Sequence, residues 1–256
     1  MFFFAIFDEA TKKNLFLLRY YFRQGAGITL AFFMKETCVF CESDSIDTLV
    51  VRNRAYYACR SCGGIFLDRT QLLEPAAEKA RYEKHENSLE NKGYRAYLED
   101  FMRTVLEFSV GTPTDSGFTV FDYGSGPEPA FVELLRENGY DARGFDPYFA
   151  PDTPVFPGGA ALVTALEVVE HFADPPGDFT RMAACVRPDG LLAVRTQLLP
   201  AVPDIGAFFG GWWYREDPTH ISFYSEKALQ LVAERVGLVP AGVAGKGVLF
   251  FRKPLR

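Results

Sequence analysis

Phe118-Thr-Val-Phe-Asp-Tyr-Gly-Ser-Gly126 joins a short apolar run, an acid and two glycines one residue apart. The run 118–122 fits a buried parallel strand. The glycine turn follows at once, and Phe131, Leu134 and Leu135 then recur at helical spacing until Asn138-Gly139 closes the segment. Strand, glycine turn, helix is the context that gives Gly-x-Gly meaning, because only there do backbone amides converge on a ligand. A brief second strand, 142–145, ends at Asp146. An acid so placed after the glycine turn can accept hydrogen bonds from both ribose hydroxyls of an adenosine ligand. The longer Gly-x-Gly-x-x-Gly fingerprint fails, because Pro129 stands at its third glycine. That disfavours a nicotinamide dehydrogenase.

Downstream, 161–166 reads as the next central strand, so Glu167, Glu170 and His171 fall at its carboxyl end, where open α/β sheets bind ligands. His171 and His220 are the candidate catalytic groups, since imidazole titrates near neutral pH. The bland alternative for each is a hydrogen-bonded structural histidine. Gly210-Gly-Trp-Trp-Tyr-Arg215 suits either a mobile aromatic lid or a plug at the core's edge. Ser225 is placed to cap a helix bearing Leu229, Val232 and Val236 that stops at Gly237. Two apolar runs, 237–243 and 247–252, split by a glycine turn, predict a terminal antiparallel hairpin.

Upstream lie two close cysteine pairs, Cys38-Val-Phe-Cys41 and Cys59-Arg-Ser-Cys62-Gly-Gly. Two such knuckles can complete a tetrahedral S₄ site, the geometry of structural Zn²⁺, so Cys38, Cys41, Cys59 and Cys62 are the expected metal ligands, a redox dithiol or an iron–sulfur site being the other readings. Between them, 48–52 and 55–58 read as a hairpin around Asn53-Arg54. A closed Cys₄ site has no open coordination position, so it should hold the fold and take no part in chemistry. Cys185, in an apolar helical context, reads as a small buried hydrophobe. Paired spacing without a secretory signal points to a reducing, cytoplasmic setting.

The segment 70–109 is charged and helical in period, with Tyr97, Leu98, Phe101, Met102, Val105 and Leu106 on one apolar face. His85 there reads as a solvated side chain, and 112–117 as a turn. The chain carries a formal net charge of −6; residues 1–33 hold +2, leaving −8 on the remainder. An acidic body lacks the basic patch of a nucleic-acid binder, which disfavours DNA or RNA. No uncharged run reaches the roughly 20 residues needed to span a bilayer. We expect Met34 to be the biological start and residues 1–33 an N-terminal extension translated from upstream, an amphipathic surface helix being the other reading.

In order along the chain, Val120-Phe-Asp-Tyr-Gly-Ser-Gly-Pro127, Gly144-Phe-Asp-Pro147, Leu166-Glu-Val-Val-Glu-His-Phe172, Arg187-Pro-Asp-Gly-Leu-Leu-Ala-Val194 and Asp217-Pro-Thr-His-Ile-Ser-Phe-Tyr224 resemble the class I S-adenosylmethionine-dependent methyltransferases. The likeness is to bacterial members with an N-terminal zinc ribbon and covers roughly residues 36–255. It implies a Rossmann-like α/β fold with a mostly parallel seven-stranded sheet behind a Cys₄ ribbon. It implies S-adenosylmethionine as cofactor, with Asp122, Gly124 and Gly126 around its methionine part and Asp146 on its ribose. Tyr123, Ser125, Pro147 and Glu167 complete the expected cofactor-binding set. The family pattern usually has a further glycine where this chain has Glu128, and the proline-rich run 147–159 is short for the helix normally found there. The expected organisation is an extension at 1–33, a ribbon at 34–70, connecting helices at 71–112 and the methyltransferase domain at 113–256. The expected activity is methyl transfer to a small-molecule acceptor; the alternatives are an inactive methyltransferase-like scaffold, or methylation of RNA or protein.

Overall fold

A computed structural model of the chain describes residues 36–84, 87–112 and 117–255. The expectations for residues 1–33, for His85 and for most of the turn at 112–117 lie outside the described residues.

The central sheet begins with β4 (Thr119–Tyr123), whose residues from Val120 onward are buried. After the glycine turn, α3 (Ala130–Glu137) buries Phe131, Leu134 and Leu135, and Gly139 at φ +84° turns the chain back. β5 (Asp141–Phe145) then pairs parallel with β4. β6 (Ala160–Leu166), buried through Ala165, lies parallel on the other side of β4, and β7 (Val186–Arg195) lies parallel beyond it. α4 (Pro175–Cys185) makes that crossover and buries Phe179, Met182 and Cys185. The expected terminal hairpin is present: β9 (Val239–Ala244) and β10 (Val248–Arg252) are antiparallel, and β10 pairs antiparallel with β7.

The order is β5-β4-β6-β7-β10-β9, six strands among the described residues where seven were expected. The connection from β5 to β6 has no room for a further strand. The run 146–159 that joins β5 to β6 is short and holds Pro147, Pro151, Pro154 and Pro157. Each parallel crossover needs a dozen residues or more, so an extra edge strand with a crossover on either side does not fit. Proline also removes the amide donors that a helix or ladder would use. The segment is loop, apart from one bridge between Asp146 and Ala150.

The cysteine region forms a second sheet of four strands. β1 (Ile46–Val51) and β2 (Arg54–Cys59) make a hairpin as predicted, but it turns at Arg52-Asn53, one residue earlier than expected, with φ +47° and +66° there. Two positive φ values at a two-residue turn match the right-handed twist of the flanking strands. β3 (Ile65–Leu67) adds to β2, and β8 (Ser222–Phe223), from far along the chain, adds to β3. One face of this sheet packs Phe40 and Phe66 toward Tyr224, with the Phe40 and Tyr224 rings 4.8 Å apart. The other gathers Tyr56, Ile65, Phe209 and Phe223 into an apolar cluster. The ribbon is therefore built into the body of the protein.

α6 (Glu226–Arg235) clamps both knuckles. Ser225 caps it by accepting from Ala228 N and donates to the Cys62 carbonyl. Lys227 donates to Ser61 O and Arg235 to Phe40 O. α1 (Pro75–Tyr82) buries no residue, while α2 (Lys92–Ser109), capped by Asn91, lays Leu98, Phe101 and Val105 on the sheet. Among the described residues no helix is long and apolar enough to cross a membrane.

Candidate active site and metal centre

At the carboxyl ends of β4 and β5 the chain is held in a tight cradle. Gly124 N and Ser125 N both donate to the Phe145 carbonyl, at 2.7 and 3.0 Å. Gly126 N donates to Asp146 Oδ2 at 3.0 Å, while Tyr148 N and Phe149 N donate to Oδ1. Asp146 thus ties the glycine turn to the next loop and keeps acceptor capacity on its carboxylate. The two glycines are needed for different reasons. A Cβ on Gly124 would come within 2.6 Å of Val168, whereas no described atom lies within 4 Å of the Cβ position at Gly126. Gly126 is required by its φ of +71° and faces open space. That is the form of a cradle for a ligand, and a cleft of about 450 Å³ opens beside it, lined by Gly126, Pro129, Arg143 and Phe149 among others.

The expected cofactor-binding residues divide in two. Gly124, Ser125, Gly126 and Asp146 form the cradle. Asp122 is buried beneath it, where Thr164 Oγ1 donates to Oδ1 at 2.7 Å. Burial pushes its carboxyl up to about 6. The Tyr123 ring packs against Phe145 and Phe172, and Pro147 is exposed. Glu128 is also exposed, just ahead of α3.

Glu167 follows β6 at φ +51°, a left-handed conformation uncommon for a non-glycine residue. Its amide donates to Arg195 O, and its carboxylate accepts from Tyr97 Oη at 3.2 Å and Tyr214 Oη at 2.8 Å. The Arg195 guanidinium lies over the Tyr97 ring at 4.7 Å. Burial and the neighbouring Glu170 push the Glu167 carboxyl up. Glu170 is completely buried and accepts from Thr196 Oγ1 through Oε2, but its Oε1 has no hydrogen-bond partner among the described residues.

His171 and His220 are brought together, their ring centroids 4.9 Å apart. His171 Nδ1 lies 3.0 Å from Thr219 O, and His220 Nδ1 lies 2.6 Å from Tyr214 O. A carbonyl only accepts, so each Nδ1 donates in these bonds and the backbone fixes the orientation of each ring. Asp217 sets the loop between them: it accepts from Thr219 and from Arg81 of α1. Burial would raise its carboxyl, but those bonds outweigh burial and hold it well below the usual range.

Side-chain bonds fasten α1 over this end of the sheet. Glu78 accepts from Tyr82 Oη and Tyr148 Oη, each at 2.7 Å, and Arg81 reaches Asp217. The Tyr82 ring stands edge-on to His171 at 5.2 Å. Sequence reasoning missed Tyr82, Tyr148, Arg195, Thr196 and the network roles of Tyr97 and Tyr214. Tyr97 reads only as part of one apolar helix face, and the others carry no spacing signal. The aromatic loop divides: Trp212 packs on Phe208, Phe209 and Phe223, whereas Trp213 is 66% exposed.

The four ribbon thiols meet as the spacing predicts. Their sulfurs all lie within 4.8 Å of one another, with Cys38 Sγ–Cys62 Sγ and Cys41 Sγ–Cys59 Sγ both 3.6 Å. A tetrahedral ion with Zn–S bonds of about 2.3 Å separates its sulfurs by about 3.8 Å, so the cluster fits a zinc site.

A mostly parallel sheet with a glycine cradle at its carboxyl edge and a closing antiparallel hairpin is a Rossmann-like methyltransferase fold. The chain belongs to that family: a family model described as a methyltransferase domain matches residues 94–241, more than half of its length. Among solved structures, the chain is similar to the complex between the Haloferax volcanii Trm112 methyltransferase activator and a methyltransferase, at 14% identity over 69% of this chain and 97% of that one, TM-score 0.47. It is similar to Haemonchus contortus phosphoethanolamine N-methyltransferase 2, solved with phosphomonomethylethanolamine and S-adenosylhomocysteine, at 13% identity over 54% and 36%, TM-score 0.43. A third likeness is to mitomycin 7-O-methyltransferase, at 16% identity over 64% and 58%, TM-score 0.43. No curated protein matches the chain.

Proposed function

We propose that the protein transfers a methyl group from S-adenosylmethionine to a small-molecule acceptor, with a structural zinc held by Cys38, Cys41, Cys59 and Cys62. The observation that carries the reading is the cradle: Gly126 faces open space, and Asp146 fixes the turn while keeping acceptor capacity for a ribose. Asp146 binds hydroxyls, the backbone of residues 124–126 meets the amino-acid part, and Glu167, locked by Tyr97 and Tyr214, supplies a carboxyl group beside it. The bound cofactor supplies an activated methyl on a sulfonium. The chain contributes alignment, which in-line displacement mostly requires, and a basic group where the acceptor carries a proton. His171 and His220, each held by an Nδ1 bond to a backbone carbonyl, would serve the acceptor.

A small acceptor fits the acidic body and the cover that α1 gives this end of the sheet. The competing reading, a binding protein without catalysis, rests on the shortened loop 146–159. Calorimetric titration with S-adenosylhomocysteine separates them. We expect binding that weakens at least about tenfold in Asp146→Ala, the loss of one charge-assisted bond. Binding that is absent from well-folded, zinc-loaded protein would select the scaffold.

A further inference from the structure

The geometry points to a second metal centre, outside the ribbon, in which Glu170, His171 and His220 hold one divalent cation at the acceptor face. One carboxylate oxygen and one nitrogen from each ring lie within 4.8 Å of one another, and Glu170 Oε1 is 4.0 Å from His171 Nε2. Two further features separate this group from an ordinary polar cluster.

First, Glu170 Oε1 belongs to a completely buried side chain and has no hydrogen-bond partner among the described residues. A buried carboxylate oxygen left unsatisfied costs free energy comparable to a lost charged hydrogen bond, and a metal ion removes that cost. Its other oxygen is already engaged by Thr196, and its carbonyl accepts from Ile221 N, so the side chain is fixed in place. Second, each imidazole binds a backbone carbonyl through Nδ1. A carbonyl on the far nitrogen fixes the tautomer, orients the ring and raises the basicity of Nε2, the arrangement that supports metal-ligating histidines.

Two imidazoles and one carboxylate, with no thiolate, suit a first-row divalent ion that keeps open positions for exogenous oxygen ligands. Such a site differs in kind from the closed ribbon centre. The inference rests on the methyltransferase reading only for its consequence: the acceptor would be a molecule with an oxygen able to bind the ion. An ion there lowers the pKa of a bound hydroxyl, whose proton then passes to water. His171 and His220 would then serve the reaction as ligands.

The test uses the full chain with its ribbon zinc in place and Mn²⁺ as probe, a hard ion that competes poorly for thiolates. Free Mn²⁺ is read by electron paramagnetic resonance. One Mn²⁺ should bind per chain, with affinity falling at least about tenfold in His171→Ala, His220→Ala and Glu170→Gln. Should Glu170→Gln fail to fold, His220→Gln, at a partly exposed position, carries the same prediction. No saturable uptake at millimolar Mn²⁺, or uptake unchanged in the histidine variants, overturns the proposal. S-adenosylhomocysteine titration of the same samples keeps the two readings apart: Mn²⁺ uptake without nucleoside binding supports the metal centre and sinks the cofactor reading.

Discussion

The four-stranded and six-stranded sheets share apolar core, yet different physics holds each. The six-stranded sheet is covered on both faces by α2, α3, α4 and α6, and its middle strands β4, β6 and β7 bury long apolar runs. The four-stranded sheet has one three-residue and one two-residue strand, and β1 has no buried residue. It brings four thiols to a point instead. A unit of that size gains little from apolar burial against its ordering entropy, so it draws on surfaces lent by the larger body, and a metal on its four thiols would add to them. Asp122 shows the reverse: a core large enough can bury a carboxyl held by the Thr164 hydroxyl and still stand.

Stripping the zinc should produce the largest effect. Chelation should cost at least about 5 kcal/mol of ribbon stability, given the roughly 10–16 kcal/mol that zinc supplies to finger peptides. Hydrogen exchange should then show lost protection in β1–β3 with protection kept in β4, β6 and β7. Simultaneous loss in both sheets would break the contrast.

Next comes Asp122→Asn. Its carboxyl is raised in the folded state from 3.8 to about 6. A raised folded value means stability that is fully present below the unfolded value and lost as pH climbs through the folded one. The wild type should lose on the order of 2–3 kcal/mol through this group between about pH 4 and pH 7 in urea unfolding, at roughly 1.36 kcal/mol per unit. The variant should lack that slope, and an unchanged slope would place the cost elsewhere.

The smallest effect is Ser225→Ala, which removes a helix cap and the bond to the Cys62 carbonyl. It should cost about 1 kcal/mol in urea unfolding. Because one of its two bonds goes to a zinc knuckle, the cost should shrink in metal-free protein. A cost independent of zinc would show α6 to be indifferent to the ribbon.

Much of this was legible where signals are local. The glycine turn, Asp146, the hairpin with Asn53, the Ser225 cap and the cysteine spacing all announce themselves within a few residues, because backbone sterics and ligand geometry act at that range. The number of strands was harder, since the family resemblance suggested seven and only the shortness of 146–159 spoke against it. The acid-and-tyrosine network was hidden more deeply. Glu167 and His171 were visible as polar residues after a strand, but Tyr97, Arg195 and Tyr214 come from three separate elements that only the folded chain assembles. Tyr97 also lies on a helix whose amphipathic period explains it without function.

β8 carries a consequence for the making of the protein. The cysteine hairpin leaves the ribosome before β8, and Ile65 of β3 pairs with Phe223, 158 residues further along. At about 5–20 residues per second, synthesis leaves the β3 edge without its neighbour for roughly 8–30 s. During that interval the nascent chain exposes an unpaired β3 edge together with thiols that have still to be clamped by α6. Metal delivery and thiol protection during translation should therefore affect yield, because the cysteine module emerges well ahead of the strand and helix that complete it.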